Sequence, residues 1–369
     1  MSHSEVFIDN QDSAVIDLTS AQKSAVVTVG GAATATGIAK YRMILARWLK
    51  KSARIIMSSI TNPETWKKPS SWIYLTIFLR LAYVWMNHNG LNPFKKNIEG
   101  HHVFLTGAGG GLGKLLALRM GKLGAKLSLS DISLEHVNKA RDYIVNEGIP
   151  AENVHTFVCD CSSLESVKTA ANEARRVFGD VHILVNNAGI VTGKKLHDAS
   201  VAEINRTFKV NTTSHLWTIR EFLPAMKANK KGHIITIASM AGIVGVAGMT
   251  DYCASKFGAV AIDEAVRLEL RKSGDHANVK TTCICPYFIN TGMFEGAKKA
   301  FPMYILDQEY VANRIMWGFR QEEALVMIPW RGNVIHLMRL LPTSISDWLA
   351  DIMGLNKSMD DFKGWGGTG

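Results

Sequence analysis

Cysteine is scarce in this sequence. The chain of 369 residues has only 5 cysteines, which excludes a small secreted domain held together by disulfides. Two pairs, Cys159/Cys161 and Cys283/Cys285, have i, i+2 spacing. On a strand this spacing places the Cα atoms roughly 6.5–7 Å apart, which is too far for comfortable bridging. We therefore expect buried, reduced thiols in a protein that faces the cytosol.

Other features that would indicate particular protein classes are also missing. No histidine or further cysteine stands at zinc-site spacing, so we predict no metal site. The first residues lack a basic region followed by an apolar core, so no secretory signal peptide is expected. No repeat with a period of 20–50 residues is visible. With 47% hydrophobic and 20% charged residues, the composition excludes disorder throughout and predicts one large domain with extensions.

Acidic residues are absent from residues 40–54, which contain six basic ones. The formal net charge is +10, and residues 1–100 contribute +6 of it, with 12 Lys+Arg against 6 Asp+Glu. A nucleic-acid binder would spread basic side chains over its working face, so no nucleic-acid partner is expected. A short basic block beside an apolar run indicates an anionic membrane surface instead.

Residues 37–97 are predicted to attach the protein to a membrane or lipid droplet. Residues 38–60 place apolar side chains at helical spacing among Lys and Arg, as in a basic amphipathic helix. The apolar run 72–86 would cover about 22 Å as a helix, short of the roughly 30 Å hydrocarbon core, and Arg80 interrupts it. We expect it to lie in the interface or form half of a hairpin; packing onto the protein's own core is the alternative. Residues 1–36 are predicted to be a flexible tail.

Short apolar runs alternate with helical patterns over residues 98–331. This alternation predicts an α/β fold, a doubly wound, Rossmann-type parallel sheet of seven strands with helices on both faces. The predicted strands are 102–107, 125–131, 155–160, 182–189, 233–239, 279–286 and 325–330. The predicted helices lie near 113–124, 133–147, 163–178, 199–229, 252–273 and 305–320. Residues 332–369 are predicted to form a C-terminal amphipathic helix and a glycine-rich tail.

The first strand leads into a glycine-rich turn, T-G-A-G-G-G-L-G, at residues 106–113. Glycines there allow a tight turn and the close approach of a pyrophosphate to the following helix N-terminus. The spacing is T-G-x-x-x-G-x-G and matches neither the common dinucleotide fingerprint nor a P-loop. A tight strand–helix turn without a ligand is the alternative interpretation.

Asp131 ends the second strand, at the position from which a carboxylate accepts hydrogen bonds from an adenosine ribose. The same charge would repel a 2′-phosphate, and no Lys or Arg directly follows it. NAD is therefore favoured over NADP as the cofactor. The alternative role for Asp131 is to cap the next helix, which Ser133 could do equally well.

Ser239, Tyr252 and Lys256 form a second constellation. Ser239 ends the fifth strand, at the carboxyl edge where ligands bind in such sheets. Tyr252 and Lys256 are spaced i, i+4 and share a helix face. A tyrosine alone is a poor base at neutral pH, but a nearby ammonium lowers its pKa. Together with the glycine-rich turn, this spacing favours a catalytic role over surface decoration.

These motifs, with Asn186-Asn187-Ala188-Gly189 and Asn211, resemble the short-chain dehydrogenase/reductase family over about residues 98–330. The resemblance implies that Tyr252 is the catalytic acid/base and that Ser239 holds the substrate oxygen. It further implies that Lys256 binds the nicotinamide ribose and lowers the pKa of Tyr252, and that Asn211 positions a water in a proton relay.

The resemblance also implies which residues hold the cofactor. Asn187 shapes the cofactor cleft, Asp160 and Cys161 flank the adenine, and Pro286 and Thr291 lie by the nicotinamide. The full predicted cofactor set is Gly107, Gly111, Leu112, Gly113, Asp131, Asp160, Cys161, Asn187, Ala188, Gly189, Tyr252, Lys256, Pro286 and Thr291.

Within the family, the stretch CPYFINTGMF and the apolar N-terminal segment are similar to a membrane and lipid-droplet branch that includes retinol dehydrogenases and 17-beta-hydroxysteroid dehydrogenases. Tyr287 replaces the glycine that often follows Pro286, which would narrow the substrate entrance. The resemblance implies an NAD-dependent oxidoreductase of a lipophilic alcohol, at the endoplasmic reticulum membrane or a lipid droplet, with a catalytic domain in the cytosol. We expect a homodimer. The alternatives are an NADPH-dependent carbonyl reductase and a catalytically idle coat protein.

Overall fold

The computed structural model describes residues 95–301 and 303–363, together with two short antiparallel strands, β1 (Val6–Phe7) and β2 (Ile16–Asp17). The rest of the predicted tail, 1–36, lies outside the described residues, and so does the predicted membrane-attachment segment up to residue 94. Among the helices that are described, none is both long enough and apolar enough to cross a membrane.

Seven parallel strands form one sheet with the order β5-β4-β3-β6-β7-β8-β9, which confirms the predicted doubly wound sheet. The strands are β3 (His102–Thr106), β4 (Lys126–Asp131), β5 (Val154–Val158), β6 (Ile183–Asn186), β7 (Gly232–Ile237), β8 (Val279–Pro286) and β9 (Leu325–Ile328). The chain moves outward from β3 in one direction to β5, then crosses back to β6. A ligand crevice is expected outside the carboxyl ends of β3 and β6, where the order reverses.

Helices cover both faces of this sheet because successive strand residues point to opposite sides. The helices are α1 (Gly111–Gly121), α2 (Leu134–Asn146), α3 (Leu164–Phe178), α4 (Val201–Phe208), α5 (Ser214–Ala228), α6 (Thr250–Ser273), α7 (Gln308–Arg320), α8 (Val334–Met338) and α9 (Thr343–Ile352). Val103 and Leu105 pack in a core cluster with residues of α1, α2 and α7, whereas Phe104 packs with α3 and α5 in a second cluster.

Two predicted helices are divided in the structure. The stretch predicted as 199–229 begins at a capping box of Ser200 and Glu203 and is interrupted by a π-helical turn, Lys209–Thr213, between α4 and α5. The single C-terminal helix expected after residue 332 is instead α8 and α9. Pro342 precedes α9. The break is physical, because proline has no amide hydrogen and disfavours the helical conformation in the residue before it.

Candidate active site

Ser239, Tyr252 and Lys256 converge at the carboxyl end of β7. Ser239 caps a short 3-10 turn that begins directly after that strand, and the other two lie in the first turns of α6. Tyr252 is 4% exposed and Lys256 is 3% exposed. The Ser239 hydroxyl donates to the carbonyl oxygen of Pro286 at 3.4 Å, and it lies near enough to the Tyr252 phenol to affect the pKa of that group. The structure thus brings together the three residues that the sequence analysis grouped as one constellation.

Burial dominates the protonation of these groups. It raises the pKa of the Tyr252 phenol well above its ordinary value, and the interaction with Ser239 offsets only part of that rise. Burial also lowers the pKa of Lys256 to about 8. The Lys256 ammonium donates to the Ile237 carbonyl at 2.9 Å and lies 5.8 Å from the Tyr252 ring centroid. The predicted lowering of the Tyr252 pKa by Lys256 is not what the protein alone produces, because desolvation of the phenolate outweighs it.

Asn211 lies in the π-helical turn and is fully buried. Its amide bonds the Ile190 backbone in both directions: Oδ1 accepts from the N–H at 2.8 Å and Nδ2 donates to the carbonyl at 2.8 Å. Nδ2 also donates to Ser255 Oγ at 3.0 Å. A Cβ added to Gly189 would lie 3.4 Å from Lys256 Nζ and 3.5 Å from Asn211 Oδ1, so both side chains border that glycine. The π turn, a feature common at functional sites, therefore places Asn211 on the same glycine as Lys256.

In the glycine-rich turn, the backbone lies very close to the backbone of Ala188 and to other parts of the turn itself. Gly107 has φ +65°, and a Cβ there would lie 2.8 Å from Ala188 Cα. A Cβ on Gly113 would collide with the Gly107 carbonyl oxygen and lie 2.9 Å from Asn187 Nδ2. Asn187 Nδ2 in turn donates to the Gly107 carbonyl at 2.9 Å and to the Thr106 carbonyl at 3.0 Å. Asn187, which directly follows the neighbouring strand β6, thus holds the turn through its side chain.

The N-terminus of α1 suits an anion. Its N-cap, Gly110, offers no side-chain cap, and its first turn holds no acidic residue. The first amide hydrogens of a helix are unsatisfied unless a cap, water or ligand accepts them, and they carry a positive partial charge. The glycine-rich turn and the N-terminus of α1 can therefore accept a pyrophosphate, and these residues fit the dinucleotide that the sequence predicts.

The Asp131 carboxylate is hydrogen-bonded to the glycine-rich turn. Its Oδ2 accepts from the Gly109 N–H at 3.0 Å, and its Oδ1 accepts from the Ser133 N–H at 3.1 Å. Ser133, not Asp131, caps α2, because Ser133 Oγ accepts from the His136 N–H at 3.2 Å. The alternative role of Asp131 as a helix cap is thus taken by Ser133. The Asp131 carboxylate remains at the edge of the cavity that the turn borders.

A cavity of about 420 Å³ runs past all of these groups, and we call it the cofactor chamber. Every predicted site residue except Asn211 lines it, including Asp160, Cys161, Pro286 and Thr291. Sequence reasoning did not single out several further lining residues: Ile132, His136, Cys159, Ser162, Ile190, Arg206, Val210, Phe288, Ile289, Met293 and Phe294. Ile132 and Cys159 directly follow β4 and β5, a position that could have indicated them, whereas His136, Arg206 and Val210 lie in helical elements and carry no such signal.

A second cavity of about 250 Å³, the apolar chamber, adjoins the first. The two share Ser239, Tyr287 and Phe288 as lining residues, so they meet at Ser239. Tyr287 lies at this junction: its hydroxyl accepts from the Ala300 N–H at 3.0 Å and its ring centroid is 4.7 Å from that of Phe288. The other walls come mainly from the segment after β7 and from α8 and α9.

Comparison with known proteins agrees with this geometry. The family described as short chain dehydrogenase matches residues 101–300. Epidermal retinol dehydrogenase 2 of Homo sapiens is 42% identical over 271 residues, covering 73% of this chain and 87% of that protein. Estradiol 17-beta-dehydrogenase 11 of Homo sapiens is 41% identical over 235 residues, covering 64% and 77%. A short-chain dehydrogenase/reductase from Burkholderia phymatum, solved in complex with NAD, is 25% identical with a TM-score of 0.60, covering 66% of this chain and 95% of that one. A metagenomic short-chain oxidoreductase in complex with NADP is 28% identical with a TM-score of 0.52, covering 63% and 98%.

Proposed function

This chain belongs to the short-chain dehydrogenase family, and from that premise we propose that it is an NAD-dependent dehydrogenase of a lipophilic alcohol, at work on a membrane or lipid droplet. The coarser part, a nicotinamide-dependent oxidoreductase with a doubly wound sheet, follows from the family itself. The observation that carries the rest is the meeting of the two chambers at Ser239, one suited to a dinucleotide and one to an apolar body.

The choice of NAD rests on Asp131. Its carboxylate borders the cofactor chamber and is followed by Ile132, so no cation stands in the next position to accept a 2′-phosphate. Two hydroxyls of a ribose match a carboxylate, whereas a phosphate would meet like charge. Among the described residues lining the chamber, Lys and Arg are represented only by Lys256 and Arg206.

When bound, the nicotinamide would accept or supply the hydride. The chain's own groups manage the proton at the substrate oxygen. The Ser239 hydroxyl orients that oxygen by a hydrogen bond, and the Tyr252 hydroxyl gives or takes its proton. Lys256 holds a positive charge beside Tyr252, and Asn211 fixes the backbone of Ile190 next to Lys256. Tyr252, Lys256 and Asn211 are buried and Ser239 is half-buried, which limits the access of water to the transfer.

The substrate class rests on the apolar chamber. Met240, Val246 and Met249 line it on the sheet side, and Met338 and Met353 line it on the helical side. Unbranched, polarisable methionine side chains adapt to irregular apolar shapes. An alcohol with one hydroxyl on a large apolar body would place the hydroxyl at Ser239 and the body in this chamber. Retinol-like, steroid-like and long-chain alcohols share that chemistry.

A second candidate direction has an observation in its favour. Burial holds the Tyr252 phenol protonated, which suits donation to a carbonyl oxygen, so reduction of a lipophilic ketone with NADPH is the alternative.

The location is proposed from the basic and apolar stretches within residues 37–97, with the catalytic domain toward the cytosol. We also propose a homodimer, which size-exclusion chromatography with light scattering would test.

The test is a panel of lipophilic alcohols assayed with NAD and with NADP, following reduced nicotinamide by absorbance, with the matching ketones assayed in reverse. Tyr252→Phe keeps the ring and removes only the hydroxyl. We expect it to retain NADH binding and to lose turnover by about 10²–10⁴-fold, the usual contribution of general acid–base catalysis. A Phe variant with most of the wild-type kcat would contradict the role of Tyr252. No turnover of any substrate by the unmodified protein would favour the idle coat protein.

A further inference from the structure

A loop that follows β8 forms part of the wall of the cofactor chamber, and we call residues 290–301 the wall loop. Phe294 of this loop lines the chamber, and its ring lies edge-on to that of Tyr252, with 5.8 Å between the ring centroids. The Phe294 ring also lies 4.9 Å from that of Phe288, centroid to centroid. The aromatic side chain that packs against Tyr252 therefore comes from the wall loop and not from α6, the helix that carries Tyr252.

The last described residues, 353–363, run along the wall loop, and we call them the C-terminal strap. Three backbone hydrogen bonds join the strap to the wall loop: from the N–H of Phe301 to the Met353 carbonyl at 2.8 Å, from Lys298 to Ser358 at 2.8 Å, and from Lys363 to Glu295 at 3.1 Å. The Lys298 ammonium also pairs with the Asp361 carboxylate at 2.5 Å, in an exposed place where an ion pair contributes little. Backbone contacts along its whole length therefore hold the strap to the loop.

Two glycines with positive φ allow the strap to approach its neighbours closely. Gly296 of the wall loop has φ +83°, and a Cβ there would collide with the Asp361 carbonyl oxygen. Gly193, in the segment after β6, has φ +65°, and a Cβ there would collide with the ring of Phe362. The strap therefore contacts the segment after β6 as well as the wall loop.

The strap also contacts the segment that leads into α6. A Cβ added to Gly248 would lie 3.2 Å from Cβ of Met359, which is itself buried. Gly248 shortly precedes Thr250, the first residue of α6 and a near neighbour of Tyr252 in the chain. The strap thus joins three segments: the wall loop, the segment after β6 and the approach to the helix of Tyr252.

We propose that the C-terminal strap positions Tyr252 by holding Phe294 against it, and that Phe294 and Phe362 are positioning residues for proton transfer at the substrate oxygen. The part that concerns proton transfer rests on the proposed function. The part that concerns the contact between the strap and the wall loop stands without it.

The physical reason is the restraint on the Tyr252 ring. A tyrosine that transfers a proton has to keep its hydroxyl within hydrogen-bonding reach of the substrate oxygen, and small misplacements of a reacting group cost large factors in rate. Phe294 packs against the side of that ring. Glycines at 292 and 296 flank Phe294, so the backbone of the wall loop restricts its own conformation little. The hydrogen bonds to the strap supply the restraint that this backbone lacks.

Phe362 makes the proposal testable because it is remote from the chemistry. It lines neither the cofactor chamber nor the apolar chamber, and it packs, partly buried, against the main core cluster. Its loss should therefore reach Tyr252 only through the strap and the wall loop. The glycine-rich turn and Asp131, which would hold the dinucleotide, belong to other segments of the chain, so NADH affinity should not follow the change in turnover.

The first experiment measures turnover of a lipophilic alcohol by full-length variants. We expect Phe362→Ala to lower kcat about tenfold with unchanged NADH affinity, read by fluorescence, and Phe362→Tyr to restore kcat because it keeps the ring. Gly193→Ala should lower kcat similarly, because its Cβ would displace Phe362. Gly274→Ala is the matched control: Gly274 also has a positive φ, +79°, but a Cβ there meets nothing within 4 Å, so kcat should stay at the wild-type value.

A double variant separates positioning from general destabilisation. If the strap acts through Phe294, then Phe294→Ala/Phe362→Ala should have the same kcat as Phe294→Ala alone, because the strap has no ring left to hold in place. Losses that multiply in the double variant would overturn the proposal. So would a wild-type kcat in both Phe362→Ala and Gly193→Ala, or a loss of NADH affinity as large as the loss of kcat.

Hydrogen–deuterium exchange followed by mass spectrometry reads the contact itself, without turnover. Because the amides of Lys298 and Phe301 donate to the strap, the peptide that contains them should exchange about tenfold faster in Phe362→Ala and at the wild-type rate in Gly274→Ala. Unchanged exchange in Phe362→Ala would overturn the proposal. If exchange changes as expected but the unmodified protein turns over no alcohol or ketone, the proposed function fails together with the role in proton transfer, and the contact is upheld. Should Phe362→Ala or Gly193→Ala not fold, the other decides, because both act on the same contact.

Discussion

Asp263 allows the effect of a buried charge on stability to be measured. It lies in α6, is 2% exposed, and accepts a hydrogen bond from Thr281 Oγ1 at 3.2 Å. Burial is the main cause that raises its pKa from 3.8 to about 7. Because the folded state holds this proton more tightly than the unfolded state, stability is lost as pH rises from about 4 to about 7 and is constant above. At about 1.4 kcal/mol per pKa unit, the full cost is about 4 kcal/mol.

We predict that Asp263→Asn removes this cost. Between pH 5 and pH 8 the stability of the variant relative to wild type should grow by about 3 kcal/mol, which corresponds to a relative rise in Tm of roughly 5–10 °C for a domain of this size. The assay is thermal unfolding over a pH series, and the slope with pH matters rather than the absolute difference, since the amide also changes local hydrogen bonds.

Glu264→Gln is the matched control, the same acid-to-amide change one residue later on the exposed side of α6. Its ion pair with Arg267, at 3.4 Å, is solvent-exposed and contributes little. We expect no comparable pH-dependent difference for it. If Asp263→Asn and wild type lose stability in parallel from pH 5 to pH 8, the buried carboxylate does not cost what its surroundings indicate, and the reasoning is refuted.

Three further predictions concern the site and the membrane. Asp131→Ala should narrow a preference for NAD over NADP, and an equal or better kcat/KM with NADP in the unmutated protein would contradict the role of Asp131. Gly113→Ala should abolish NADH binding because its Cβ collides with the Gly107 carbonyl oxygen. Gly110→Ala, whose Cβ would be 3.6 Å from that oxygen, should retain NADH binding. Equal NADH binding by both variants would contradict the role of the glycine-rich turn. A chain beginning at Asn92 should bind NADH and leave the membrane fraction, but a full-length protein that stays soluble at physiological salt would exclude anchoring.

The sheet was predictable because each of its buried strands is recognisable from a few consecutive residues. Buried parallel strands are short apolar runs, and their carboxyl ends, such as Asp131 and Ser239, mark the ligand crevice by position alone. The π turn around Asn211 was not predictable, because one extra residue in a turn shifts the helical phase without a distinct sequence pattern.

The effect of burial on Tyr252 was missed for another reason. Sequence shows which charges are near, and so it pointed to Lys256, but desolvation depends on the whole surrounding fold. The apolar chamber was missed likewise, because its walls come from segments far apart in the chain, such as Val246, Tyr287 and Ala350. Contacts of that kind exist only once the tertiary structure is formed.

The junction of the two chambers at Ser239 has a consequence for selectivity. The apolar walls on the sheet side offer few directional contacts, so a bound molecule is held by an area that grows with each carbon, at about 0.8 kcal/mol per buried methylene. Discrimination of that kind is cumulative: neighbouring members of a homologous series differ by small factors, and no single group on the substrate decides acceptance. The enclosed volume of about 250 Å³ then sets an upper limit on the size of the molecule. Affinity should climb steadily along such a series and fall once that limit is passed.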